Sequence, residues 1–161
     1  FSLDNLSVRE LYPFEQYNPA EGTVVLEFSC DSNFTKGPFH FFKGTDFQGW
    51  GMRIIDASAS QVNVIARDGS AFNSTTVTGI DLSQPATCLA SVNSSGHAVV
   101  GGNGKSDSNS ANNISLEVDR LKIGTQSIGG SNIGTISGHI RRFKYLSRFV
   151  SEIEAKNLTS D

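Results

Sequence analysis

Cysteine, tryptophan and methionine are scarce in this chain: two, one and one among 161 residues. Two cysteines cannot build the disulfide framework that staples small secreted domains. Both lie in apolar, strand-like runs, around Cys30 and Cys88, which suits buried thiols; a bridge would need the two strands to be neighbours. His40, His97 and His139 are remote from one another and from both cysteines, and no C-x-x-C or H-x-x-x-H spacing occurs, so the pattern of a structural zinc site is missing. Basic charge is not in excess either: Lys and Arg number 13 against 16 Asp and Glu, a net charge of −3. A dedicated nucleic-acid binder relies on such an excess to displace counterions. No apolar run approaches the roughly 20 residues that cross a bilayer. The first residues lack the basic-then-apolar order of a signal peptide. A start at Phe1 leads us to expect a piece of a longer polypeptide.

What the chain has in quantity is period-two alternation. In Gly22–Cys30, Val24, Leu26, Phe28 and Cys30 share one face, and Thr23, Glu27 and Ser29 the other, the pattern of a half-buried strand. Further strands are expected at Phe39–Lys43, Trp50–Ile55, Gln61–Arg67, Ala71–Thr78, Ala86–Asn93, Gly96–Gly101, Ile114–Ile123 and Gly138–Leu146. Asp68-Gly69 and Asn103-Gly104 are hairpin-turn pairs. The low-complexity tract Gly101–Asn113 has no apolar anchor and reads as a mobile loop or hairpin tip; Gly124–Gly134 reads as a second Gly-rich loop. Helix signals appear only over residues 148–157, with Ser147 or Ser151 as N-cap and Glu154 three residues after Ser151. These elements predict an all-β fold: a two-sheet antiparallel jelly-roll sandwich closed by a short C-terminal helix. Residues 1–12 are expected to be the end strand of a preceding module, 13–22 a linker, and 23–161 the jelly-roll domain.

Several chemical motifs fail on inspection. Gly104-Lys105-Ser106 resembles the end of a phosphate loop, but Val99 stands where the first glycine belongs and no helix follows. Glu117 and Asp119 would share one strand face about 7 Å apart, near the spacing of a glycosidase carboxylate pair. The sandwich-fold glucanases carry Glu-x-Asp-x-x-Glu, however, and here the third position is Lys122. No Gly-x-Ser-x-Gly elbow is present. No catalytic residue is therefore assigned, and the chain is expected not to be an enzyme. Asp107 and Asn109 offer hard oxygen ligands, which makes calcium the one candidate cofactor.

The stretch Gly138-His139-Ile140-Arg141-Arg142-Phe143-Lys144-Tyr145-Leu146, with the following Leu158-Thr159, resembles the closing strand and short helix of concanavalin A-like (laminin G-like) jelly-roll domains of bacteriophage tail fibres and tail proteins. Asn18-Pro19-Ala20-Glu21-Gly22-Thr23 resembles the family's opening strand, and residues 86–104 its strand-turn-strand hairpin. The resemblance implies a virion tail setting and a homotrimer. It also implies a non-enzymatic module that recognises host-surface glycan, with no nucleic-acid or membrane partner. A purely structural or oligomerisation domain of the fibre is the alternative that it leaves open, and behind it a glycan-degrading hydrolase that would use Glu117 and Asp119. Ile140, Phe143 and Tyr145 place apolar side chains at both parities of the last strand, which a β-bulge would reconcile. Arg141, Arg142, Lys144 and Arg148 would then form an exposed basic stripe, either guarding an edge or meeting an anionic partner.

Sugar sites pair an aromatic platform with amide and charged hydrogen-bonding groups. Trp50 lies between Gly49 and Gly51 and is either a core residue or a platform left open by its glycines. Asp46, Gln48 and Arg53 are near it in sequence, and His40 lies in the aromatic run 39–42, so these five are the candidate ligand contacts.

Overall fold

The computed structural model describes residues 16–30, 36–44, 48–55, 60–69, 71–128 and 131–160. Twelve strands and one helix follow in chain order: β1 (Glu21–Cys30), β2 (Lys36–Phe42), β3 (Gln48–Ile54), β4 (Gln61–Asp68), β5 (Ala71–Thr78), β6 (Ala86–Asn93), β7 (His97–Gly102), β8 (Lys105–Ser110), β9 (Arg120–Ile123), β10 (Thr125–Ile128), β11 (Ser131–Thr135), β12 (Gly138–Leu146) and α1 (Glu152–Leu158). The first sheet runs β12-β1-β6-β7-β8, the second β5-β4-β3-β2-β9, and β10-β11 form a separate hairpin. All pairings are antiparallel. The fold is the expected β-sandwich jelly roll with a C-terminal helix.

Alternation builds the core. Val24, Leu26 and Phe28 of β1 and Cys88, Ala90 and Val92 of β6 face Phe39, Phe41, Trp50, Met52, Val62 and Val64 of the second sheet, all within one buried cluster. Between Glu27 and Phe28 the register with β12 slips: Glu27 pairs Arg142, and Phe28 pairs Ile140. The expected bulge is therefore at Arg141, and it lets Ile140, Phe143 and Tyr145 all pack against the core. Cys30 and Cys88 are free, buried thiols. Cys88 stands opposite Leu26, out of register with Cys30.

Three expected loops or strands need correction. The expected hairpin turn at Asn103-Gly104 is present, with both residues left-handed (φ 46° and 70°), but the polar tract after it is not a loop: it is a strand, β8, paired to β7. Its side chains need no apolar anchor because they are held by β5: the Thr75 hydroxyl donates to Asp107 Oδ2 at 2.5 Å, and Asn109 Nδ2 donates to Asn73 Oδ1 and Ser74 O at 3.0 Å each. The Gly-rich loop after Ile123 contains the β10–β11 hairpin. Conversely, the strand expected at 114–123 pairs only over Arg120–Ile123. Ile114 and Leu116 are buried, but this stretch does not join a ladder, so its alternation reports burial and not pairing.

The linker expected over 13–22 ends early. Glu21 and Gly22 belong to β1, and Tyr17 packs against the core, its hydroxyl donating to Leu116 O at 2.5 Å and accepting from Trp50 Nε1 at 3.1 Å. Residues 1–12, expected to end a preceding module, lie outside the described residues. At the other end, Ser151 is the N-cap of α1 and accepts from Glu154 N at 3.4 Å. Ala155, Val150, Leu89 and Val99 form a small second cluster that seats the helix on the outer side of the first sheet.

Candidate functional site

Strand parity separates the candidates. Trp50 points inward with Met52 and Ile54, whereas Arg53 has the opposite parity and points outward. Cross-strand register then assembles the outer side of the second sheet in rows. Arg120, Phe42, Gly49, Arg67 and Phe72 form one; Lys122, His40, Gly51, Ile65 and Ser74 the next; Arg53, Asn63 and Thr76 a third.

Trp50 is 0% exposed and is a core residue, not a platform. Its ring stacks on Phe41 at 4.8 Å and meets Phe39 edge-on at 5.6 Å. The flanking glycines admit backbone and not ligand. Gly49 has φ 138°, and a Cβ there would run into the Phe41 carbonyl oxygen; one at Gly51 would meet the Phe39 carbonyl. His40 has the outward parity but is 3% exposed, stacked on Phe42 at 5.6 Å, so it is no surface contact. Gln48 is at the end of β3 and donates to Asp68 Oδ1 at 2.8 Å, away from Arg53. Asp46 lies outside the described residues. Of the four candidates among the described residues, Arg53 alone presents a charged group on the outer face.

Around Arg53 the structure gathers groups that sequence reading did not single out. Arg53 is half-buried. Its guanidinium is held below its usual range first by burial and then by the neighbouring charge of Arg67. Its Nε donates to Asn63 Oδ1 at 2.8 Å, and among the described residues no carboxylate pairs with it. The Arg67 guanidinium lies 5.6 Å from the ring centre of Phe72, which is 41% exposed. Ser74 and Thr76 of β5 add hydroxyls on the same face. Two like charges, an exposed aromatic ring and a row of hydroxyls thus share the outer side of β3, β4 and β5. The missed signal was parity: a charged residue at an outward position of a central strand has neighbours on both sides.

The other candidates are engaged elsewhere. Glu117 pairs with Lys43, and Asp119 accepts weakly from Gly44 N and lies 3.7 Å from Arg120. Neither is on a strand, so the geometry expected of a glycosidase pair on one strand face is lost. The basic stripe is broken up: Arg148 forms a two-nitrogen pair with Glu154, and Arg141 lies 3.8 Å from Glu27. Arg142 and Lys144 are exposed on the edge strand β12, where charge blunts edge pairing. Among the described residues no group of three or more His, Cys, Asp or Glu could hold a metal ion; Asp107 accepts from Thr75 through Oδ2, and Asn109 donates to Asn73 and Ser74 across the β5–β8 seam.

No protein-family model matches the chain, and no curated protein matches it. Solved structures do. The carbohydrate-binding module CBM40 of the Ruminococcus gnavus IT-sialidase, bound to α2,3 sialyllactose, superposes with a TM-score of 0.71 at 16% identity, over 88% of this chain and 84% of that one. The NanB sialidase from Streptococcus pneumoniae gives 0.71 at 14% identity, over 96% of this chain and 28% of that one. The leech intramolecular trans-sialidase gives 0.69 at 15%, over 89% and 24%. This chain therefore corresponds to about a quarter of each of those two enzymes. At these identities the likeness is one of fold: the chain shares the β-sandwich of that carbohydrate-binding module. The expected jelly roll is upheld; of these three neighbours one is a sialidase's carbohydrate-binding module and two are sialidase chains, and none is a tail-fibre protein.

Proposed function

We propose that the chain is a non-catalytic module that binds an acidic glycan on the outer side of the second sheet, with Arg53 as the anchor for the sugar carboxylate. One observation carries this. Arg53 is half-buried on the outer side of β3, its Nε is held by Asn63, and it has no carboxylate partner among the described residues. A cation with little access to water is normally paired, and a guanidinium that no protein carboxylate neutralises gains from an anion that approaches it. A bidentate arginine–carboxylate contact is the strong form of that interaction. Phe72 would cover an apolar face of the sugar, and Ser74 and Thr76 would meet its hydroxyls. The fold shared with a module crystallised with sialyllactose agrees with this class of ligand. The tail-fibre setting, the trimer and calcium are expectations that belong to the sequence resemblance or to residues elsewhere, and the proposed site draws on none of them.

The test is a titration with 3′-sialyllactose and, in parallel, lactose. Saturable binding of the acidic sugar alone, weakening with salt, is the expected result. Arg53→Met should weaken it at least tenfold, at a stability cost of about 1–3 kcal/mol from the Asn63 oxygen left without its donor. Equal binding of both sugars, or full binding by Arg53→Met, would refute the proposal. A chain that binds neither sugar but forms a stable oligomer would favour the structural fibre domain.

A further inference from the structure

Asn63 is 2% exposed on β4, on the outer face, and every polar hydrogen of its amide is used. Nδ2 donates to Thr75 O at 2.8 Å and to Thr76 Oγ1 at 3.0 Å, and Oδ1 accepts from Arg53 Nε at 2.8 Å. The two acceptors on β5 fix which way the amide points, so its oxygen must face Arg53. A guanidinium is planar, and holding Nε fixes the direction of the whole fork. The Nε edge is thereby spent inside the protein, while Nη1 and Nη2 have no hydrogen bond to a described residue. Only an amide fits this position. An aspartate would set a carboxylate against the Thr75 carbonyl and neutralise Arg53; a leucine would strand both Thr75 O and Arg53 Nε.

We propose that Asn63 is the positioning residue of the site: a neutral acceptor that locks the Nε edge of Arg53, turns the Nη1/Nη2 edge outward and leaves its charge available for one oxyanion bound end-on. This rests on the acidic-glycan reading and specifies how the anion is taken. It also accounts for an asparagine buried between an arginine and an edge strand, where an apolar side chain would otherwise pack.

Arginine side-chain ¹⁵N spectra of the whole chain test it. In the free protein the Arg53 Nε–H should exchange with water at least tenfold more slowly than that of the exposed Arg142, and Asn63→Ala should remove that protection. On titration with 3′-sialyllactose the Nη resonances should move while Nε stays put, and affinity should fall at least tenfold in Asn63→Ala. Arg53→Lys, which keeps the charge and disturbs the fold least, should lose at least tenfold because an ammonium lacks the fork. Sodium acetate, the bare carboxylate, is titrated alongside. If acetate moves the Nη resonances and sialyllactose does not, the glycan reading fails and the positioning role stands. If sialyllactose binds but Nε is unprotected, or Arg53→Lys binds as well as the parent, the positioning role is refuted and the glycan reading survives. If neither probe moves Nη, both fall.

Discussion

Tyr17→Phe is a one-atom deletion whose cost follows directly from geometry. The hydroxyl lies between the indole Nε1 of Trp50, 3.1 Å away, and the carbonyl of Leu116, 2.5 Å away, and both partner residues are buried. Deleting the oxygen leaves an N–H and a C=O without partners in the core, and each such group costs about 1–3 kcal/mol. The ring stays, packed at 5.5 Å from Phe41 and 5.7 Å from Tyr145, so little packing is lost. The expected destabilisation is about 2–4 kcal/mol. For a chain of this size it should lower Tm by roughly 5–15 °C. Urea unfolding followed by the single tryptophan should show an earlier midpoint with an unchanged slope. Burial lifts the Tyr17 hydroxyl well above the usual tyrosine range, so it remains a donor and the loss should be the same at pH 6 and pH 9. Pairing the variant with Trp50→Phe closes a double-mutant cycle whose coupling should reach about 1 kcal/mol. A loss below about 0.5 kcal/mol, within the usual range for surface changes, would mean that the segment before β1 is not anchored in the core.

Two further outcomes are expected. Burial pushes the Cys88 thiol up to about 12, so a disulfide reagent at pH 8 should label it only as fast as the protein opens; fast labelling without denaturant would contradict its placement in the core. The Glu154 carboxyl is held below its ordinary value first by its hydrogen bond to Arg148. Since its folded value is the lower one, the contribution is complete above the unfolded value of about 4.3 and is lost as pH falls through the folded value. Helix signal at 222 nm should therefore respond to acid more weakly in Glu154→Gln than in the parent, and identical acid profiles would show that the pair does not hold α1.

Most of the fold was legible because one face of each sheet is buried and the side-chain period is two. Ala71–Thr78 and Ala86–Asn93 coincide with β5 and β6 as expected, and the mixed parity of Ile140 and Phe143 located the bulge. Burial alone misled in both directions. Ile114 and Leu116 alternate with polar residues as a strand does, yet they cross an end of the sandwich without a ladder partner. Lys105–Ser110 has no apolar residue and is nonetheless a strand, because its partners are backbone groups of β7 and polar side chains of β5. Hydrophobic periodicity cannot register a strand held in that way.

The site was harder to read for a related reason. Neighbours in sequence on a strand face opposite sides, so grouping Trp50 with Arg53 and Gln48 by proximity mixed the core, the outer face and the strand end. Neighbours across a sheet are invisible until the register is known. Arg53 meets Asn63 and Thr76 only because Arg53 pairs Asn63 and Asn63 pairs Thr76. Once that register is in hand, the chemistry is constrained. An outward arginine on a central strand can be satisfied by a carboxylate on the next strand, and it then serves stability. Here the adjacent strand supplies an amide, which fixes the guanidinium without cancelling its charge. On β4 the next outward position but one adds Arg67, a second cation on the same side. On the proposed function, the charge that Asn63 leaves on Arg53 is what a sugar carboxylate would meet.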